Sequence, residues 1–225
     1  VIPLRDSQPS RKVPVVTILL IAINLLIFLY QSTLTEWELV LFFHRFAFTP
    51  SGFFASVSNG QIYWPILTSM FLHGGLEHLI GNMWILWLFG DNVEDHLHPI
   101  KYLLFYIGTG FVAIMAHTLS MPHSDVFTVG ASGAIAGVMG AYLILYPKAR
   151  VLTLVPFMPF FINIPAFIYL IIWVVLQIFS GLFQSGGGIA WWAHVAGFLA
   201  GMLICIRGRK RRRDETTTPP PARTP

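Results

Sequence analysis

The sequence predicts an all-α fold: a polytopic membrane protein in which six apolar helices form one bundle, with a long interfacial loop after the first. Three observations carry this. First, the 225 residues are 55% hydrophobic and 11% charged, with a mean hydropathy of +0.68, where soluble domains carry about 25% charged residues. Second, six apolar runs approach the roughly 17–25 residues that a membrane helix needs. Third, the basic residues fall almost entirely on one side. With both termini in the cytoplasm, Arg5, Arg11, Lys12, Lys101, Lys148, Arg150, Arg223 and the six between Arg207 and Arg213 fall inside, thirteen of the fourteen, leaving Arg45 outside.

The elements follow in order. Residues 1–13 are polar and basic and form a cytoplasmic N-terminal segment. Pro14 to Tyr30 is the first span. A signal peptide is the competing reading, but no small-x-small cleavage site precedes Gln31-Ser32-Thr33. Residues 31–72 mix Trp37, Phe42, Phe43, Phe46, Trp64 and other aromatics with Glu36, Glu38, His44 and Arg45. This reads as a loop without an obvious helix, sunk in the headgroup zone or packed on the bundle. Further spans run from Glu77 to Glu94, Ile100 to Leu119, Gly130 to Pro147, within Phe160 to Phe183, and from Ala190 to Ile206. The membrane domain is therefore 14–207. The tail, 208–225, is basic and then Thr- and Pro-rich, which predicts disorder. The net charge of +4 is concentrated in Arg207–Arg213, directly after an apolar run, so it reads as a cytoplasmic stop and not as a nucleic-acid surface. The single Cys205 excludes an internal disulfide and a cysteine-based metal site.

Polar groups inside spans are costly and point to function. His78 and Asn82 lie on the second span, Ser132 on the fourth and His194 on the sixth. The even-numbered spans all run from outside to inside. At about 1.5 Å per residue, Ser132 lies roughly 22 Å from Pro147, His194 roughly 20 Å from Arg207 and His78 roughly 24 Å from Glu94. All three share one depth, below the outer surface. Ala193, Gly197, Ala200 and Gly201 repeat small residues along the sixth span, and Ser132, Gly133, Ala136, Gly137 and Gly140 do so along the fourth, so the two helices can approach closely. That approach brings the Ser132 hydroxyl within reach of the His194 imidazole, the arrangement of an activated nucleophile. His78 and Asn82, four residues apart, share a face and can donate to an oxyanion. His117, without a nameable partner, takes a structural reading.

These segments resemble the rhomboid family of intramembrane serine proteases. Gly130-Ala131-Ser132-Gly133 is similar to its GxSG nucleophile motif, and Ala193-His194-Val195-Ala196-Gly197, continuing to Gly201, to its AHxxG-type stretch. His73 to Asn82 resembles its helix-two segment, with Trp64, Thr68, Gly90 and Glu94 also matching. The resemblance implies a Ser132–His194 dyad without a third carboxylate. It also implies an oxyanion hole from the Ser132 backbone N–H with His78 and Asn82, no cofactor or metal, and membrane-anchored protein substrates cut in or near their transmembrane segments. Two positions depart from the family. Pro65 stands where an arginine follows the loop tryptophan, and Ala136 stands where a tyrosine stacks beneath the histidine.

Three rivals are weighed against this reading. A metal site on His73, His78 and His194 lacks the HExxH spacing and any carboxylate at that depth. A non-catalytic helix-binding protein would have no need of Ser132 and His194 together, although the departures at Pro65 and Ala136 give that reading some weight. A transporter would show an internal repeat, which six unequal spans do not. The prolines Pro156, Pro159 and Pro165 and the glycines Gly181 and Gly186–Gly188 around the fifth span suit a moving gate or plain loop chemistry. With no transit segment visible, a bacterial or archaeal cytoplasmic membrane is the expected location.

Overall fold

In the computed structural model of the chain, the described residues are 2–155, 160–183 and 190–217, with side chains described to Gly208 in the last stretch. Among them the elements are β1 (Ile2–Asp6), α1 (Val15–Gln31), α2 (Glu36–Phe46), α3 (Pro50–Ser58), α4 (Pro65–Thr68), a 3-10 turn (Ser69–Phe71), α5 (Leu76–Leu97), α6 (Pro99–Ser120), α7 (Ser132–Leu145), β2 (Arg150–Val155), β3 (Phe160–Pro165), α8 (Ala166–Phe183) and α9 (Trp191–Thr217). A helix thus lies at each of the six apolar runs. Three of them, α6, α8 and the Trp191–Gly208 part of α9, are long and apolar enough to cross a bilayer, and α1 and α7 are shorter apolar helices. The protein is an integral membrane protein built mainly of helices.

Two expectations are corrected. The 31–72 connection is not a loop without helices, because local caps override its mixed composition. Thr35 and Glu38 form a reciprocal capping box that starts α2, and the Thr49 side chain accepts from the Gly52 N–H to start α3, with Pro50 at its first position. No residue of α2 is buried, and Trp37, Val40 and Leu41 stand exposed along it. The all-α expectation also yields to a three-stranded antiparallel sheet in the order β1-β2-β3. Phe160–Pro165, the opening of the stretch within which the fifth span is expected, pairs with β2 from Arg150↔Pro165 to Val155↔Phe160, and the helix itself, Ala166–Phe183, falls inside that stretch. Its run of aromatic and β-branched residues suits a strand, and the helix begins only after Pro165. The N-terminal segment supplies the third strand, with Ile2 opposite Leu154 and Asp6 opposite Val151.

This pairing fixes which connections share an end of the bundle. The sheet joins the N-terminal segment to the α7–α8 connection, and the Arg11 N–H donates to Asp95 near the end of α5. Asp6 lies between the Tyr142 hydroxyl and the Asn92 amide, both of which donate to its carboxylate. Burial of this corner pushes the Asp6 carboxyl above the usual carboxylate range. The helical trace of α9 continues through the basic run to Thr217, and residues 218–225 of the expected tail lie outside the described residues.

α7 is the centre of the bundle, with every residue from Ala134 to Leu143 buried. It can be central because it has so little side chain. A Cβ added at Gly140 would overlap the carbonyl oxygen of Phe198, and one at Gly197 or Gly201 would overlap the carbonyl of Gly133 or Gly137. Backbone therefore lies against backbone where α7 crosses α9. On the other side Gly133 and Gly137 meet Ala113 and Thr109 of α6. Contact this close is the main packing force open to helices in a solvent as apolar as their own side chains.

Candidate active site

Ser132 is the first residue of α7, while His78 and His194 lie in the first turns of α5 and α9. All three therefore sit at the end of the bundle opposite the sheet. The tight α7–α9 crossing brings Ser132 Oγ to 2.8 Å from His194 Nε2. On the other side of the ring, Gln177 Oε1, from α8, lies 2.7 Å from His194 Nδ1. With the amide oxygen, an acceptor, facing Nδ1, the matching tautomer carries its proton on Nδ1 and turns the Nε2 lone pair to the serine hydroxyl. The Ser132 hydroxyl then donates to Nε2.

Gly130 determines what approaches the serine from α5. Its φ of 119° is a conformation that glycine adopts readily and other residues rarely do. A Cβ there would lie 2.7 Å from His78 Nε2 and 3.6 Å from Asn82 Nδ2. Both side chains thus converge beside the backbone two residues before Ser132, and only a bare Cα leaves them room. The Gly130 N–H donates to Ser69 O at 2.9 Å, tying this turn to the 3-10 segment. Helix geometry leaves the first-turn N–H groups of α7, including that of Ser132, without intrahelical partners, and the positive end of the helix dipole lies at the same place.

Asn82 is itself held. Its Nδ2 donates to His73 Nε2 at 3.0 Å, while the backbone of His73 is clamped by the Gln31 side chain, which donates to His73 O at 2.9 Å and accepts from its N–H at 3.2 Å. His73 is 1% exposed, and burial, aided by the charge of His78, drives its imidazole down to about 4. His117 is buried near the C-terminal end of α6. Among the described residues, no three His, Cys, Asp or Glu side chains are grouped to hold a metal ion.

Of the residues singled out from the sequence, Ser132 and His194 touch, His78 and Asn82 converge on Gly130 two residues before the serine, and Gly133, Gly197 and Gly201 lie along the α7–α9 contact. The two departures acquire local explanations. Pro65 occupies the first position of α4, where a missing N–H costs nothing. Ala136 offers no ring, and the rings beside His194 are Trp173 of α8, with centroids 5.9 Å apart and planes at 36°, and Trp191 of α9 at 6.3 Å. Trp173 and Gln177 are the residues that sequence reasoning missed. The available signal was an amide within the apolar stretch Ala166–Phe183. Of the suggested gate residues, Pro156, Pro159 and Gly186–Gly188 lie outside the described residues.

Residues 60–211 match the Rhomboid domain family. YdcA, a rhomboid relative from Bacillus subtilis, is 35% identical over 135 residues, covering 60% of this chain and 64% of its own length. The mitochondrial RHOMBOID-like protein 6 of Arabidopsis thaliana is 38% identical over 87 residues, 39% of this chain and 28% of its own. Rhomboid protease GluP of Bacillus subtilis is 36% identical over 87 residues, 39% of this chain and 16% of its own. The chain thus spans less than two thirds of the length of each of these relatives.

Proposed function

Because the chain belongs to the rhomboid family, we propose that it is an intramembrane serine endopeptidase that cleaves membrane-anchored proteins in or near their transmembrane segments. The observation that carries this reading is the 2.8 Å contact between Ser132 Oγ and His194 Nε2, made across two helices far apart in sequence.

In this mechanism His194 Nε2 takes the Ser132 proton as Oγ attacks the scissile carbonyl carbon. The carbonyl oxygen becomes an oxyanion beside Gly130, held by the Ser132 N–H and by donors from His78 and Asn82. His194 then gives its proton to the leaving amine. Water attacks the acyl-enzyme with His194 as base, and the serine is regenerated.

The proposed setting is a membrane domain of six spans over 14–207, α1 and α5 to α9, with the α2–α4 connection lying in the headgroup zone. The sheet end carries Arg5, Arg11, Lys148 and Arg150, and with Lys101 and the basic run of α9 it faces the cytoplasm, as do both termini. Water then reaches Ser132 from the opposite face. The location proposed is a bacterial or archaeal cytoplasmic membrane.

The test is reconstitution into lipid vesicles with a diverse library of tagged single-span segments. The reading expects at least one segment to yield a product that disappears with Ser132→Ala and with His194→Ala. Products that persist in both variants, or a folded wild type that leaves every segment whole, would contradict it.

A further inference from the structure

Resting on the serine-protease reading above, we infer that Gln177 is a positioning residue for His194, its amide oxygen holding the imidazole in the tautomer that can accept the Ser132 proton. A neutral imidazole has one N–H and one lone pair. With the proton on Nε2 the ring can only donate to Ser132 and cannot deprotonate it. With Oε1 turned toward Nδ1 at 2.7 Å, the amide favours the productive form, because the oxygen can accept the Nδ1–H and has no hydrogen to offer.

The surroundings make that contact count. Gln177 is 9% exposed in an otherwise strongly apolar helix, where an unpartnered amide would be costly. Trp173, four residues earlier and hence on the same face of α8, lies against the imidazole ring, and Trp191 closes it from α9 with centroids 6.3 Å apart. The ring is therefore fixed in plane by Gln177 and in tilt by two indoles. Among the described residues the hydrogen-bond partners of His194 include no carboxylate, and a neutral amide does the orienting. The reactivity of Ser132 accordingly depends on α8 as well as on α7 and α9.

The experiment measures the second-order rate of a small fluorophosphonate with purified protein in mild detergent, beside thermal unfolding. Wild type is compared with Gln177→Met, which keeps length and loses the acceptor, and Gln177→Glu, which keeps an acceptor. Where an aspartate orients the histidine of a serine protease, its loss costs about 10⁴-fold. For a neutral amide we expect Gln177→Met to react about 10- to 100-fold more slowly while unfolding near the wild-type temperature, and Gln177→Glu to recover to within a few-fold. A folded Gln177→Met that reacts within about twofold of wild type overturns the positioning role while leaving the protease reading intact. Equal losses in Met and Glu variants, tracking their unfolding temperatures, would make Gln177 a packing residue only. A folded wild type without reaction at Ser132 would instead overturn the protease reading and this inference with it.

Discussion

Glu94 closes the N-terminus of α1 through Thr17: one carboxylate oxygen accepts from both the Thr17 N–H and its hydroxyl, each at 2.8 Å, while the other accepts from the Val16 N–H at 2.9 Å. The residue before α1 is Pro14, which has no side-chain cap to offer, so the cap comes from 77 positions away. Glu94 is 2% exposed, and its charge is balanced by the helix dipole and three donors. Glu94→Ala would leave buried N–H groups unsatisfied and is expected to cost about 2–4 kcal/mol, with Glu94→Gln milder. Thermal unfolding in detergent checks the order. Equal stability of all three proteins would contradict the cap.

The α7–α9 crossing gives a second prediction. Gly201→Ala adds one methyl where the Gly137 carbonyl already lies. Overpacking of this kind costs about 1–3 kcal/mol. The separation it forces would displace Ser132 from His194, and misplacement by about 1 Å can cost 10²-fold in rate. Gly108 of α6 has open space about its Cα, so Gly108→Ala should be neutral or slightly stabilising. Unfolding and fluorophosphonate reactivity measured together distinguish the two sites.

Gly130 carries two constraints at once, a φ of 119° and the His78 ring 2.7 Å from where a Cβ would lie. Gly130→Ala is expected to lower reactivity at Ser132 by at least about tenfold, with a much smaller effect on unfolding, because the strain is confined to the turn before α7. Unchanged reactivity in this variant would show that the turn has no part in the site.

Acid should loosen the Asn82 support. His73, in the connection ahead of α5, holds its proton less tightly in the folded protein, at about 4, than the ordinary imidazole at 6.5. Its contribution to stability is therefore full above 6.5 and is lost as the pH falls from there towards 4. Protonated His73 also cannot accept from Asn82. The unfolding temperature of wild type should fall between pH 7 and pH 5 by more than that of His73→Gln. Identical slopes would contradict the assignment.

Much of this architecture was legible in the sequence, for reasons that differ by element. The six apolar runs were readable because a lipid solvent demands contiguous apolar residues. Ser132, His194, His78 and Asn82 stood out because polar groups are expensive there, and the glycine spacing of α7 and α9 already implied close contact. The β2–β3 pair was missed because Phe160–Pro165 reads as equally good apolar helix, and its partnership with Ile2–Asp6 is set by packing over long range. The α2 and α3 helices depend on caps at Thr35 and Thr49 that a composition count passes over. Gln177 stayed hidden because nothing in the linear order relates its register on α8 to the ring of His194.

The central claim is that His194 activates Ser132, and one measurement reaches it without a known substrate. Purified protein in mild detergent is treated with a fluorophosphonate, and the adduct is located by peptide mass spectrometry in wild type, Ser132→Ala and His194→Ala. The account predicts an adduct on Ser132 in wild type, none at that position in Ser132→Ala, and a rate at least about 10³-fold lower in His194→Ala. An adduct on another residue, equal labelling of Ser132 with and without His194, or no adduct on a folded wild type would contradict it.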